Sequence, residues 1–211
     1  EGEPGIDMLA VDPRRFGAYT SKRYLVAKNE EAYRDVFTIH YPDEERHDAR
    51  PAKTSAVYDK LKGMGAVFGQ RYGWERANWF APQGVEPKDV WSFRRSNYFE
   101  HVGNECRRLR EKVGVIDLTP FTKFEVRGPG AEAWLDGLVA NKVPTKVGRI
   151  ALCHALTQRG GIRTEFTITR LGVNDFYVVS AGAAERYDSD YLQKHLPADG
   201  SFASFGCVLS P

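Results

Sequence analysis

Glu165 is an acidic residue placed among apolar and hydroxyl side chains, which makes it the first candidate for a catalytic or ligand-binding group. It lies in residues 149–171 (RIALCHALTQRGGIRTEFTITRL), where two strand-forming runs flank the polar segment 157–161. The paired glycines that end this segment accept positive φ without a Cβ clash, which predicts a β-hairpin. Alternation along the second strand assigns two faces: Ile162, Thr164, Phe166 and Ile168 on one, and Arg163, Glu165, Thr167 and Thr169 on the other. If the first face is core, Glu165 is either a solvated acid or a carboxylate that faces a ligand cavity.

Other sequence patterns exclude several kinds of chemistry. No GxGxxG opens a helix, no GxxxxGK[ST] occurs, and no GxSxG-like elbow presents a serine. We therefore expect no dinucleotide or nucleoside triphosphate site and no Ser-His-Asp triad within these residues. Cys153 and His154 are adjacent on a strand and point to opposite faces, which predicts a core cysteine and a satisfied histidine rather than a metal site.

Composition is typical of one or two globular domains: 211 residues, of which 42% are hydrophobic and 27% are charged. The net charge of +2 gives no reason to expect a nucleic acid or an anionic membrane as partner. No apolar run approaches the ~20 residues that span a bilayer. The three widely spaced cysteines, Cys106, Cys153 and Cys207, predict small core residues in a reducing compartment, without a disulfide framework.

The elements that must position Glu165 form an α+β pattern. Helical spacing predicts helices over residues 20–41, 55–62, 97–112, 131–139 and 183–196, and strands are predicted over 123–127, 176–180 and 201–211 beside the hairpin. Residues 43–50 predict a solvated loop and residues 141–148 a second loop, whereas 63–80, rich in glycine and aromatic residues, predict a packed irregular segment. Strands paired by turns and interleaved with helices favour an antiparallel sheet.

A linker rich in proline and glycine, residues 82–87, predicts the domain organisation. We place one domain at residues 1–81 and a second at 82–211. The sequence lacks an initiator Met, and residues 201–211 have the character of a strand cut off at its edge, whose pairing partners are missing. We therefore expect the chain to be a fragment of something larger.

Motifs spread along the chain resemble one enzyme family. The segments Asp12–Phe16, Ile39–Pro42 and Gly73–Phe80 resemble the central segment of the dimethylglycine and sarcosine dehydrogenase family. A further series resembles the folate-binding domain that this family shares with the glycine cleavage T protein: Val115–Phe124, Ala140-Asn141, Gly160–Ile162, Thr167–Leu171 and Phe176–Val179. The resemblance spans nearly the whole chain in the family's order.

The resemblance implies a three-part enzyme with an FAD domain, a central piece and an aminomethyltransferase-like domain that binds tetrahydrofolate. The flavin loop has no counterpart here, so the chain would begin near the end of the FAD domain and stop within the folate domain. An N-methylated amino acid would be oxidised elsewhere in the intact polypeptide, and the one-carbon unit would be captured as methylene-tetrahydrofolate. The family implies bacterial cytoplasm or the mitochondrial matrix.

The resemblance also implies site residues on the folate side. Glu165 falls where T proteins usually carry an aspartate that contacts the pterin, and would be both the catalytic and the cofactor-binding carboxylate. Phe121, Leu152 and Val179 would line the pterin slot, and Ala181 stands where T proteins often carry asparagine. Two alternatives remain open: a non-catalytic regulatory or scaffold protein of the same architecture, and an aminomethyltransferase or folate-dependent demethylase without flavin.

Overall fold

The protein divides into two compact units, described here from a computed structural model that covers Met8, residues 11–198 and residues 204–207. One unit, Phe16–Pro120, is called the hairpin unit; the other, Glu1–Arg15 with Phe121–Pro211, is called the sheet unit. The domain boundary between residues 81 and 82 stays a prediction.

The hairpin unit contains three helices: α1 (Lys22–Arg34), α2 (Tyr58–Gly63) and α3 (Phe99–Glu111). Ser21 caps α1, and its hydroxyl accepts a hydrogen bond from the Tyr24 amide. The prediction that this helix reaches Tyr41 is wrong, because the β-branched residues of segment 36–39 disfavour helix and Pro42 restricts the residue before it. Cys106 on α3 is exposed, so the prediction that it is a core residue is also wrong.

Residues 63–80 form a β-hairpin, not the irregular segment that their composition predicted. Strand β1 (Ala66–Arg71) pairs antiparallel with β2 (Trp74–Phe80). Tyr72 and Gly73 both have positive φ, 52° and 84°, as a two-residue hairpin turn of type I′ requires. The buried Trp79 packs with Val67 and Ala81 in the small core of this unit.

The loop 43–50 is less solvated than predicted, because one of its residues is buried against the hairpin. The Arg50 guanidinium donates to both carboxylate oxygens of Glu75 on β2, with Nε–Oε1 at 2.9 Å and Nη2–Oε2 at 2.6 Å. Both side chains are almost inaccessible to solvent. This bidentate ion pair therefore anchors the loop to β2.

In its described residues the sheet unit has five antiparallel strands and two α-helices, which matches the predicted α+β class. Its elements are β3 (Thr122–Arg127), α4 (Ala131–Leu138), β4 (Ile150–Leu156), β5 (Ile162–Gly172), β6 (Asp175–Ser180), α5 (Glu185–Lys194) and β7 (Ser204–Cys207). The strand order is β4-β5-β6-β3-β7. Strand β7 pairs with β3, so the prediction that a strand within 201–211 lacks its partners is wrong for residues 204–207.

One face of this sheet forms the core with α4 and α5. The buried cluster contains residues from β3, β4, β5 and β6 together with both helices: Phe124, Val126, Cys153, Ala155, Phe166, Ile168, Phe176, Val178, Ala131, Trp134, Leu135, Tyr191 and Leu192. Cys153 is fully buried, as predicted. The opposite face of the sheet is called the open face. It carries the alternate residues of each strand, among them Glu165.

A β-bulge changes the predicted faces at the start of β5. Ala155 pairs with Thr164 and Leu156 with Ile162, so Arg163 is the extra residue. Ile162, predicted to be core, is 68% exposed. Arg163, predicted to share a face with Glu165, instead lies over the Tyr187 and Tyr191 rings of α5, with its guanidinium carbon 4.5 and 4.6 Å from their centroids. The faces predicted for Glu165, Phe166 and Ile168 are confirmed.

Candidate functional site

Strand register brings two predicted site residues into one row across the open face. Leu152 on β4 pairs with Thr167 on β5, Thr167 pairs with Val179 on β6, and Val179 pairs with Lys123 on β3. Directly paired residues share a face, so these four side chains lie side by side. Leu152 is 50% exposed and Val179 is half-buried. The row therefore presents two apolar groups on either side of a hydroxyl.

Glu165 lies on the same face, two residues before Thr167 on β5. Its side chain is 58% exposed, and its Oε2 atom is 3.1 Å from Nε2 of His154, the residue directly opposite on β4. Oε1 makes no hydrogen bond with any residue in the described part of the chain. The acid is thus held on one oxygen while the other is open to a donor.

Phe121 immediately precedes β3 and is 43% exposed. It comes one residue before the pair of Thr122 and Ser180, so it lies next to the end of β6. There the Thr122 hydroxyl donates to the Ala181 carbonyl over 3.3 Å. Three of the four residues predicted for the site, Glu165, Leu152 and Val179, therefore lie on one side of one sheet, and Phe121 lies just before β3.

Sequence reasoning treated His154 as a satisfied histidine and missed its place beside Glu165. Two features of the sequence could have predicted this position. Alternation along β4 points His154 away from the core residue Cys153, and the hairpin turn determines which residues of β4 and β5 are paired. Tyr177 was also missed: it pairs with Thr169 on the open face. Burial raises the pKa of the Tyr177 phenol, and the charge of Glu125 adds to the rise.

Asp188 is a second acid that sequence reasoning missed, and it lies on the core side of the sheet. It is fully buried on α5. Burial raises its pKa to about 6, while the hydroxyls of Ser180 and Thr164 and the charge of Arg163 act in the opposite direction. The sheet separates it from the open face, so it has no access to a ligand bound beside Glu165.

The described residues offer little other chemistry. No cluster of three or more His, Cys, Asp or Glu side chains among them could hold a metal ion. Burial raises the pKa of the Cys153 thiol, and the charge of Asp136 adds to this, which makes it a poor nucleophile. None of the described helices is long and apolar enough to cross a membrane.

The hairpin unit has a cavity of its own, with a volume of about 460 Å³. It is lined by α2, β2, α3 and the segment 113–120, and its charged groups have both signs: Arg76 and Arg108, Glu105 and Asp117. The Glu105 carboxylate already accepts a hydrogen bond from the Phe80 amide. One of its four charged groups is therefore engaged in a structural contact, and the two signs of charge are balanced.

The chain has a relative among solved structures. The aminomethyltransferase T of the glycine cleavage system from Bartonella henselae matches with a TM-score of 0.56 and 22% identity, over 74% of this chain and 38% of that chain. The fold is thus that of an aminomethyltransferase, as predicted. The chain belongs to the family described as the GCVT N-terminal domain, which it matches over residues 57–208. Residues 1–55 match the FAD dependent oxidoreductase central domain.

Two curated relatives agree with these matches. Mitochondrial dimethylglycine dehydrogenase of Mus musculus is 37% identical over 92% of this chain and 22% of its own length. The formaldehyde-forming 4-methylaminobutanoate oxidase of Paenarthrobacter nicotinovorans is 33% identical over 98% of this chain and 25% of its own length. The family resemblance predicted from the sequence is confirmed. The chain spans a quarter or less of the length of these relatives.

Proposed function

We propose that the open face of the sheet unit binds the pterin ring of tetrahydrofolate, with Glu165 as the carboxylate that accepts hydrogen bonds from it. The observation that carries the proposal is the Glu165 carboxylate, with its Oε1 atom open, beside the row of Leu152, Thr167 and Val179. In this proposal the chain is the folate-binding portion of a flavin-dependent dehydrogenase of N-methylated amino acids. It acts in the bacterial cytoplasm or the mitochondrial matrix.

The residues on this face fit a flat heterocycle with N–H donors. Leu152 and Val179 are two strands apart, about 10 Å, which leaves an apolar platform of roughly the width of a fused ring system. A carboxylate is an acceptor only, and Oε1 of Glu165 is open to receive an N–H. A charge-assisted bond of this kind is stronger than a neutral one and favours a ligand that presents an N–H donor to Oε1.

Bound tetrahydrofolate would supply the nucleophilic nitrogens that accept the one-carbon unit released when an N-methyl amine is oxidised. The chain's own contribution is position: Glu165 fixes the ring's orientation, and Phe121, Leu152 and Val179 cover its faces. Holding the acceptor on the protein that contains the oxidising site raises the effective concentration of the acceptor for the released one-carbon unit. No residue of the chain is assigned to FAD, because no dinucleotide-binding loop occurs in the sequence.

Calorimetric titration with tetrahydrofolate tests the proposal, on protein expressed from the whole gene that encodes the chain. We expect micromolar affinity, about −8 kcal/mol. Glu165→Gln keeps the shape but loses the charge-assisted bond, so affinity should fall about 10- to 150-fold, equivalent to 1.5–3 kcal/mol. Glu165→Asp should have a mild effect.

Glu125→Gln is the matched control, because Glu125 lies on the open face of the same sheet but in the row of Tyr177 and Thr169. Its folate affinity should equal that of the wild type. Absence of binding heat at high folate concentration would contradict the proposal and favour the regulatory alternative. Equal losses in Glu165→Gln and Glu125→Gln would show that general charge, not a specific carboxylate, attracts the ligand.

A further inference from the structure

The contact between His154 and Glu165 indicates which ring nitrogen of the histidine carries the hydrogen of their bond. An ionised glutamate has acceptors only, so Nε2 of His154 must carry the hydrogen of the 3.1 Å bond to Oε2. The two residues are directly opposite each other on β4 and β5, and the histidine side chain is 35% exposed. The backbone of β4 therefore holds the Nε2 donor opposite Glu165, and the imidazole ring is partly buried.

A glutamate on an exposed strand needs such a partner if it is to act as a directed acceptor. Three rotatable bonds separate its carboxylate from the backbone, and ordering them on ligand binding lowers affinity. A bond from His154 to Oε2 restricts the carboxylate in advance and leaves Oε1 as the acceptor for an incoming donor. The other charged side chains of the neighbouring strands on this face are farther from Glu165: Lys123, Glu125 and Arg127 lie on β3, two strands away from β5, and Asp175 lies at the start of β6, opposite Gly172.

We infer that His154 is a positioning residue that holds the Glu165 carboxylate in the orientation that receives the ligand's N–H. The inference rests on the proposed function of Glu165 and adds a residue that acts through it. His154 itself requires no contact with the ligand. This role requires an N–H donor at the position of Nε2, and it requires neither a charge nor an imidazole ring.

Two substitutions separate the donor from the ring. His154→Gln keeps an N–H at a similar reach, whereas His154→Leu removes the donor and keeps comparable bulk. Calorimetry with tetrahydrofolate, on protein expressed from the whole gene, should give a 3- to 10-fold weaker affinity for His154→Leu, the fold-change that corresponds to losing one ordinary hydrogen bond. His154→Gln should bind within about twofold of the wild type. His154→Thr, a good strand former without a donor at that reach, replaces His154→Leu if the latter does not fold.

A double-mutant cycle distinguishes positioning from a direct contact. In a Glu165→Ala background there is no carboxylate to orient, so His154→Leu should cause no further loss of affinity. An additional loss in that background would show that His154 contacts the ligand itself, and equal losses in His154→Leu and His154→Gln would assign it a packing role. Either result overturns the inference.

The outcomes also separate this inference from the proposed function. If Glu165→Gln weakens binding and His154→Leu does not, the inference fails and the proposed function stands. If the wild-type protein binds no tetrahydrofolate, both fail.

Discussion

Asp188→Asn should change how the stability of the protein depends on pH. Asp188 is fully buried on α5, and burial raises its pKa from 3.8 to about 6. In the unfolded chain the carboxyl titrates near its ordinary value, so between pH 4 and pH 6 the folded state binds more protons than the unfolded state. The contribution of Asp188 to the unfolding free energy is therefore fully present below about pH 4 and is lost as the pH rises through 6.

The size of the effect follows from the difference between the two pKa values. A difference of about two units, at 1.36 kcal/mol for each unit, amounts to roughly 3 kcal/mol of unfolding free energy lost between pH 4 and pH 7. Asparagine has nearly the same shape and does not titrate. Relative to the wild type, the variant should therefore gain about 2 kcal/mol of unfolding free energy between pH 4.5 and pH 7.5, because about 1 kcal/mol of the total has already been lost at pH 4.5.

Urea unfolding of both proteins at half-unit steps from pH 4.5 to 8 measures this difference. Titrating groups other than residue 188 are common to the two proteins and cancel when one curve is subtracted from the other. A difference that stays constant across the range would refute the account of Asp188 as a desolvated acid. A variant that is more than about 2 kcal/mol less stable at pH 8 would instead make the carboxylate an essential partner of Arg163.

Two further predictions concern the hairpin unit. Glu75→Gln breaks the buried bidentate pair with Arg50 and should lower the unfolding free energy by about 3–5 kcal/mol, measured by urea unfolding; a change below 1 kcal/mol would mean that the pair is solvated. Gly73→Ala should lower the melting temperature more than Gly84→Ala, because both glycines have φ near +85° but a Cβ at Gly73 would lie 2.7 Å from the Tyr19 ring, whereas nothing lies within 4 Å at Gly84. Equal shifts in melting temperature would refute the predicted clash.

The sequence predicted the part of the site that depends on local periodicity. Alternation along β5 assigned Glu165 to the face opposite Phe166, and the turn chemistry of residues 157–161 defined the hairpin. Both are properties of neighbouring residues, so they can be read without knowing the rest of the fold. The family resemblance supplied Leu152 and Val179, which are far apart in sequence and meet only through sheet register.

The features that the sequence did not predict depend on exact register or on contacts between distant segments. A single extra residue at Arg163 reverses the faces of the first two residues of β5, and alternation alone gives no sign of a bulge. The hairpin of residues 66–80 was missed because its turn places Tyr72 at positive φ, where glycine or asparagine is the usual signal. The pair of Arg50 and Glu75 joins residues 25 positions apart.

A crystal structure of the protein expressed from the whole gene, with tetrahydrofolate bound, tests the central claim most directly. The account predicts the pterin ring on the open face of the sheet, with its N–H groups within hydrogen-bonding distance of the Glu165 carboxylate and its ring packed on Leu152 and Val179. A pterin ring bound elsewhere, or bound on this face with no contact to Glu165, would contradict it.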